Sequence, residues 1–200
     1  MDLTASDLPL QAYVSYIELL AQWNSAYNLT AVRDPEKMIA YHVLDSLSIL
    51  PFIHGDECQG NKCLDIGTGA GLPGIILALA RPDTYWVLLD GNSKKTRFVQ
   101  QAILTLNLKN AEVICSRIEH YEPECRFSTI VSRAFATLAD FFACGHHLLA
   151  PGGSLLAMKG PDPEIELSDL TAEAFSAKVI PLTVPGVAGG RSLVEIVPKR

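Results

Sequence analysis

Four glycines fall within eight residues, at Gly67, Gly69, Gly71 and Gly74, directly after the apolar run Cys63-Leu64-Asp65-Ile66. Glycine at that density does two physical things. It takes positive φ without a Cβ penalty, so the chain can turn sharply, and it lets a ligand lie against bare backbone. An apolar run ending in such a turn reads as a strand passing into a helix, where open α/β sheets bind nucleotides. Two cofactor classes compete for the turn. Gly69-Ala70-Gly71-Leu72-Pro73-Gly74 fits the dinucleotide fingerprint, which brings a pyrophosphate to a helix N-terminus. Asp65-x-Gly67-x-Gly69-x-Gly71 fits the pattern of S-adenosyl-L-methionine-dependent methyltransferases. The second is preferred: Asp65 would repel a pyrophosphate but not a cationic sulfonium or amino group.

The remaining chemistry-bearing residues sit at the ends of further apolar runs. Asp90 closes Val87-Leu88-Leu89, where a carboxylate can accept both hydroxyls of a ribose. Ser116-Arg117-Ile118-Glu119 follows the third run, where an apolar side chain packs on adenine and an acid reads its amino group. Ser132-Arg133-Ala134-Phe135 follows the fourth, and Arg133 would there stand near cofactor and substrate together. Each has a plainer alternative: a strand-end acid, a first-turn helix acid, a surface arginine.

The elements that must position these groups follow from hydrophobic periodicity. Asp7 to Ala26 reads as one amphipathic helix, with Leu10, Tyr13, Val14, Ile17, Leu20 and Ala21 on its apolar face. A second helix starts with Asp34 as cap and Pro35 in the first turn and runs to about Leu50. From Lys62 short apolar runs alternate with helical patterns. Strands are expected at 63–66, 86–89, 112–115, 129–131 and 154–158, with helices at 71–80, 93–106 and 138–149. Such alternation means parallel strands with crossover helices. Pro151-Gly152-Gly153 reads as a turn into the fifth strand, and 178–184 with 192–197 as a closing antiparallel hairpin across the turn at Gly186 to Gly190. That hairpin is a methyltransferase ending, absent from ordinary dinucleotide domains. The expected architecture is a seven-stranded Rossmann-like α/β domain over residues 61–200 with a helical extension over 1–60, joined by a polar linker around Gly55 to Asn61.

Bulk properties narrow the classes. The 200 residues are 48% hydrophobic and 19% charged, enough for one core and unlike a disordered chain. A net charge of −6 argues against retention on nucleic acid by bulk positive charge, though not against a local patch. Lys94, Lys95 and Arg97, with Arg133, Lys159, Arg191, Lys199 and Arg200, are candidates for such a patch around the cofactor mouth; solvated helix charge is the plainer alternative. The five cysteines include no CxxC pair, so reduced thiols, rather than disulfides or structural zinc, are expected. No basic and apolar leader is visible and no apolar stretch is long enough to span a bilayer, so a cytoplasmic setting, without membrane or metal partners, is expected.

At this level of detail the chain resembles a specific family, the 16S ribosomal RNA guanine-N7 methyltransferases (RsmG, or glucose-inhibited division protein B). The resemblance runs through Trp23-Asn24, Asn28-Leu29-Thr30, Arg33-Asp34-Pro35, His42-x-x-Asp45-Ser46 and the whole of Asp65 to Gly74. It continues through Leu88-Leu89-Asp90, Arg117-Ile118-Glu119, Ser132 to Ala136, Lys159-Gly160 and Arg191-x-Leu193. The chain departs from the pattern at Tyr41, Gly91-Asn92 and Gly190. The resemblance implies methyl transfer from S-adenosyl-L-methionine to N7 of one guanine in small-subunit RNA. It implies cofactor contacts from Gly67, Leu72, Ile118, Glu119 and Arg133, joined by Gly69 and Asp90 from the motif reading. Asn28, His42, Lys159 and Arg191 become candidates for the RNA side, with Arg133 and Lys159 positioning the guanine or its phosphate, and His42 with Asp45 as a possible pair on one helix face. The RNA itself, or the small ribosomal subunit, is the implied partner. Two other classes stay open: a methyltransferase acting on a small molecule or protein, and a non-catalytic nucleotide-binding module.

Overall fold

A computed structural model describes residues 8–53, 61–133, 135, 137–163, 167 and 175–199. Helix α1 (Leu10–Tyr27) is followed by a second helical stretch that is α over α2 (Pro35–Met38), π-helical over Ile39–Leu44 and α again over α3 (Asp45–Leu47). Then come β1 (Lys62–Ile66), α4 (Gly74–Ala80), β2 (Tyr85–Asp90), α5 (Ser93–Thr105) and β3 (Ala111–Cys115). The chain continues through β4 (Phe127–Arg133), α6 (Leu138–Gly145), β5 (Leu149–Lys159), β6 (Phe175–Leu182) and β7 (Arg191–Pro198). The sheet order is β3-β2-β1-β4-β5-β7-β6. β1 to β5 pair in parallel, while β7 inserts antiparallel between β5 and the edge strand β6. This is the expected sheet with its closing hairpin. The order reverses between β1 and β4, which opens a crevice at their carboxyl ends.

Side-chain alternation along the strands divides the core into two layers. Cys63 of β1, with Trp86 and Leu88 of β2, packs in the layer that also holds Tyr16 and Leu20 of α1 and Phe98 of α5. Leu64 and Ile66, with Val87 and Leu89, face the other layer, with Leu138 and Phe141 of α6. α1 therefore belongs to the same packed layer as the sheet. Its Tyr16 and Trp23 rings lie 6.3 and 5.7 Å from the Phe98 ring. The buried face of α1 is Tyr13, Tyr16, Ile17, Leu20 and Asn24, whereas Leu10 and Val14, expected on that face, stand 60% and 48% exposed.

The Asp34 side chain accepts from the Glu36 N–H with Pro35 in the first turn, as the sequence indicates. Several boundaries differ: the helix expected over 138–149 ends at Gly145, with Leu149 already in β5, and the strand expected over 178–184 is Phe175–Leu182. α4 begins at Gly74 rather than Gly71, because Gly71 has φ +81°, outside the helical region. The second helical stretch ends at Leu47, and Pro51 lies inside a separate 3₁₀ turn over Leu50–Phe52. Pro151 to Gly153 does not precede β5 but lies within it, where Gly152 has φ +81° and the pairing with β4 shifts register between Phe127 and Thr129, as a bulge does. Most of the polar linker expected around Gly55 to Asn61 falls outside the described residues.

Gly74 is required by packing rather than by backbone angle. A Cβ there would collide with Leu88 Cδ2 and sit 2.8 Å from Asp65 Oδ2. Gly74→Ala is therefore expected to destabilise the fold by about 1–3 kcal/mol, a fall in Tm of several degrees in thermal denaturation. An unchanged Tm would mean that the turn has slack the packing does not show.

Candidate functional site

The glycine turn is built around a buried carboxylate. Alternation places Asp65 on the Cys63 side of β1, under α4, and its exposure is 0%. Its Oδ2 accepts from the Thr68 hydroxyl at 2.7 Å and the Gly74 N–H at 2.9 Å, while Oδ1 has no partner among the described residues. Burial pushes its carboxyl up to about 6, against the pull of the Thr68 and Gly74 hydrogen bonds and the Arg133 charge. Asp65 thus ties the turn together from inside; it does not stand in the open crevice as the charge argument from sequence supposed. From the other side, the Gly67 and Thr68 N–H groups donate to Leu89 O at 2.8 and 3.0 Å. The Tyr16 hydroxyl of α1 donates to Ala70 O at 2.6 Å.

A cavity of about 580 Å³ opens beside this turn, of the size that small-molecule sites occupy. Ile66 and Gly67 come from β1 and its turn, Asp90 to Ser93 from the end of β2, Arg117 and Ile118 from the loop after β3, and Phe135 from the loop after β4. Gly67 has φ +71° and nothing within 4 Å of its would-be Cβ, so its face is free for a ligand. Both oxygens of Asp90 are already used: Oδ2 accepts from Gly69 N–H at 2.9 Å and Oδ1 from Asn92 N–H at 2.8 Å. Lys95 Nζ lies 3.8 Å from Oδ2. Each carboxylate oxygen keeps a second lone pair, so the acid can still accept hydroxyls. Ile118 is half-buried and Phe135 packs 5.5 Å from the Phe141 ring, giving the cavity two apolar walls.

The other expected cofactor contacts lie off this cavity. Gly69, with φ +60°, gives its N–H to Asp90. The Leu72 side chain is buried in the core. Glu119 is exposed in the 3₁₀ turn Ile118–His120. Arg133 lines a different cavity.

That second cavity, of about 360 Å³, lies between the helical stretch 35–47 and the ends of β4, β5 and β7. It gathers His42, Asp45, Arg133, Lys159 and Arg191. Alternation explains two of these: Arg133 continues the Val131 side of β4 and Arg191 the Leu193 side of β7, the layer on which the N-terminal helices pack. Lys159 Nζ donates to Phe135 O at 3.1 Å, so a residue that walls the first cavity is gripped from the second.

His42 and Asp45 do not pair with each other. His42 Nε2 lies 2.9 Å from Thr30 Oγ1, and Thr30 is fixed through both its N–H and its carbonyl by the Asn24 amide. Asp45 instead meets Arg133 and Arg191. Burial, seconded by the Arg133 charge, pushes the His42 imidazole down to about 4, so it is neutral near pH 7. Asn28 caps α1 in the left-handed conformation, exposed, with its carbonyl oxygen held by Arg33 at 2.9 Å. The basic ring expected from sequence is smaller than supposed. Lys199 lies beside Arg126 and Gly152 at the opposite end of β5 and β7, because an antiparallel strand carries residues 191 and 199 to opposite sheet ends. Arg200 falls outside the described residues.

A family model described as "GidB: rRNA small subunit methyltransferase G" matches residues 9–194. The chain belongs to that family. A "Ribosomal RNA small subunit methyltransferase G" of Laribacter hongkongensis is 47% identical over 183 residues, covering 92% of this chain and 86% of the relative. Family membership makes the chain an S-adenosyl-L-methionine-dependent methyltransferase. Among solved structures, the tRNA methyltransferase TrmI of Aquifex aeolicus superposes with TM-score 0.63 at 17% identity, covering 78% of this chain and 69% of that one. A DhpI complex with SAH superposes with TM-score 0.58 at 17% identity over 98% of both chains. At these identities the two structures establish the fold alone. The residues of the first cavity fit the family's cofactor: a bare glycine face, a strand-end carboxylate and apolar walls. Among the described residues no cluster of three or more metal-ligating side chains occurs, and no helix is long and apolar enough to cross a membrane.

Reasoning from sequence missed Tyr16, Thr68 and the double partnership of Asp45. The first was hidden among the apolar positions of α1; the last joins residues 146 apart in the chain.

The two buried titrating groups bend stability in opposite directions. Between its ordinary 3.8 and about 6, folded Asp65 holds a proton that the unfolded chain releases, so stability falls as pH rises through that window. Between about 4 and its ordinary 6.5, folded His42 lacks a proton that the unfolded chain binds, so stability is lost as pH falls. In urea titrations at stepped pH between about 4 and 6, Asp65→Asn should gain stability with pH more steeply than wild type, and His42→Gln less steeply. Parallel profiles for all three would remove both groups from the balance.

Proposed function

We propose that the chain methylates N7 of one guanine in 16S ribosomal RNA, in the cytoplasm, acting on the RNA or on the small ribosomal subunit. The observation that carries this is the pairing of the two cavities. One has a nucleoside-sized lining of glycine, carboxylate and apolar side chains; the other is ringed by Arg133, Lys159 and Arg191; and Phe135, in the loop after β4, borders the first and is gripped by Lys159 of the second.

The roles follow from chemistry. When bound, S-adenosyl-L-methionine supplies an electrophilic methyl group on a sulfonium. Asp90 would accept the ribose hydroxyls, Gly67 would let the cofactor lie on bare backbone, and Ile118 with Phe135 would cover the adenine. Gly69 would support the cradle through its N–H to Asp90, Leu72 from within the core, and Glu119, next to Ile118, would read the adenine amino group. Guanine N7 carries a lone pair and no proton, so the residues need not abstract one. Their work is to hold N7 in line with the methyl group and keep water out. Arg133 and Lys159 position the guanine or its phosphate without occupying N7, whose lone pair must attack. Arg191 and the neutral His42 face the same space, and Asn28 offers its amide nitrogen from the exposed end of α1. A chain of net charge −6 with one cationic cavity should hold RNA weakly and with steep salt dependence, which favours RNA already shaped by a particle.

The test is transfer of labelled methyl groups from S-adenosyl-L-methionine to small subunits from cells lacking this modification, followed by digestion to nucleosides. Wild-type protein should place label in 7-methylguanosine, and Asp90→Ala should weaken cofactor binding by calorimetry by about tenfold or more, as for the loss of a charged hydrogen-bond acceptor. Cofactor binding without label in the RNA would point instead to a small-molecule or protein substrate.

A further inference from the structure

Asp45 sits where three positive side chains border one cavity, and it touches two of them. Its carboxylate is 4% exposed. Oδ2 lies 3.4 Å from Arg133 Nη1 and Oδ1 lies 3.1 Å from Arg191 Nε. Each guanidinium is thus met by one oxygen along one edge, not gripped by the two-pronged pairing that would use up its donors. Backbone carbonyls hold each guanidinium further. Arg133 Nη1 also donates to Tyr41 O at 3.1 Å, and Arg191 Nη1 donates to Gly190 O at 3.1 Å. Nη2 of both arginines has no partner among the described residues, and both side chains are about a quarter exposed. One buried carboxylate therefore locks two guanidinium groups from β4 and β7 into a fixed relation and leaves Nη2 of each to meet a further acceptor. Lys159 lines the same cavity, and the His42 imidazole beside the arginines is neutral near pH 7.

We infer that Asp45 is a positioning residue for methyl transfer: it holds Arg133 and Arg191 as one rigid, two-pronged receptor for a phosphodiester of the substrate RNA. A phosphodiester fits better than a base edge because its oxygens diverge and carry charge, so two separate guanidinium groups can each be satisfied. The receptor is assembled during folding, not on RNA binding. A substrate strand docked there is held at one distance from the neighbouring cofactor cavity, whose lining does not include Asp45, Arg133 or Arg191.

The inference rests on the proposed RNA methylation. It also predicts an effect opposite to simple electrostatics. Removing a negative charge beside an RNA site strengthens RNA attraction if the charge does nothing else. If Asp45 positions the arginines, its loss slows turnover although binding is not weakened, because misplaced reacting groups cost rate.

The experiment measures methylation of unmodified small subunits by wild type, Asp45→Asn, Arg191→Lys and the double variant, with cofactor Kd by calorimetry and Tm for each. Asp45→Asn is expected to lower kcat by between about tenfold and a hundredfold, with KM for subunits unchanged or lower and cofactor Kd unchanged. The double variant should be no worse than about the poorer single variant, because both act through one assembly. Should Asp45→Asn not fold, Asp45→Glu, which keeps the charge on a stem one methylene longer, is expected to show the same loss of kcat at unchanged cofactor Kd. An unchanged kcat with a lower KM, multiplicative losses in the double variant, or parallel loss of cofactor binding and Tm would each overturn the positioning role. No methylation by wild type, with cofactor bound, would overturn the RNA reading and this inference with it.

Discussion

The site depends on a carboxylate that has been taken out of water. Asp65 is fully buried beneath α4, and two donors nine residues or fewer away, the Thr68 hydroxyl and the Gly74 N–H, converge on one of its oxygens. Burying an acid is costly unless it is hydrogen-bonded, and here the bonds fold the intervening glycine turn back on its own strand. The end of β2 is tied to that turn. Leu89 O receives its first two N–H groups, Asp90 receives a third, and Tyr16 reaches it from α1. The N-terminal helices are therefore attached to the glycine turn by a hydrogen bond as well as by packing on Phe98.

The same helices close the second cavity. The stretch from Pro35 to Leu47 presents Tyr41, His42 and Asp45 toward the ends of β4, β5 and β7, and its opposite face packs near Tyr13 and Ile17 of α1. Two adjoining spaces with different chemistry result. One is bounded by backbone, a carboxylate and apolar side chains, suited to a nucleoside. The other is bounded by cations, suited to an anionic strand. Methyl transfer to RNA requires both, close together and separately supported.

Much of this was legible in the sequence because it rests on local signals. Glycine spacing located the turn, the strand-end position located Asp90, and alternating periods gave all seven strands and their closing hairpin. What was not legible rests on tertiary placement. Asp65 looked like a ligand-facing charge, and only the pairing of β1 between β2 and β4 shows that its side points under α4. His42 and Asp45, three residues apart on a helix, looked like partners. Residues distant in the chain compete for both: Thr30 for the imidazole, Arg133 and Arg191 for the carboxylate. Lys199 counted as part of a basic ring until the antiparallel direction of β7 carried it to the far end of the sheet. Had strand parity been followed past the last apolar residue, Val131 to Arg133 and Leu193 to Arg191, it would have put both arginines on the helix-covered face.

Asp90 has a further consequence. Its two oxygens are held by the N–H groups of Gly69 and Asn92, one from each of the turns that flank the cavity. The rotamer freedom that a lone surface aspartate loses on meeting a ligand is lost here at folding, so preorganisation leaves less entropy to surrender on binding. With Asp90 in its proposed role, cofactor affinity and local turn rigidity become two readings of one equilibrium: loosening either turn weakens the acceptor geometry well before the sheet itself comes apart.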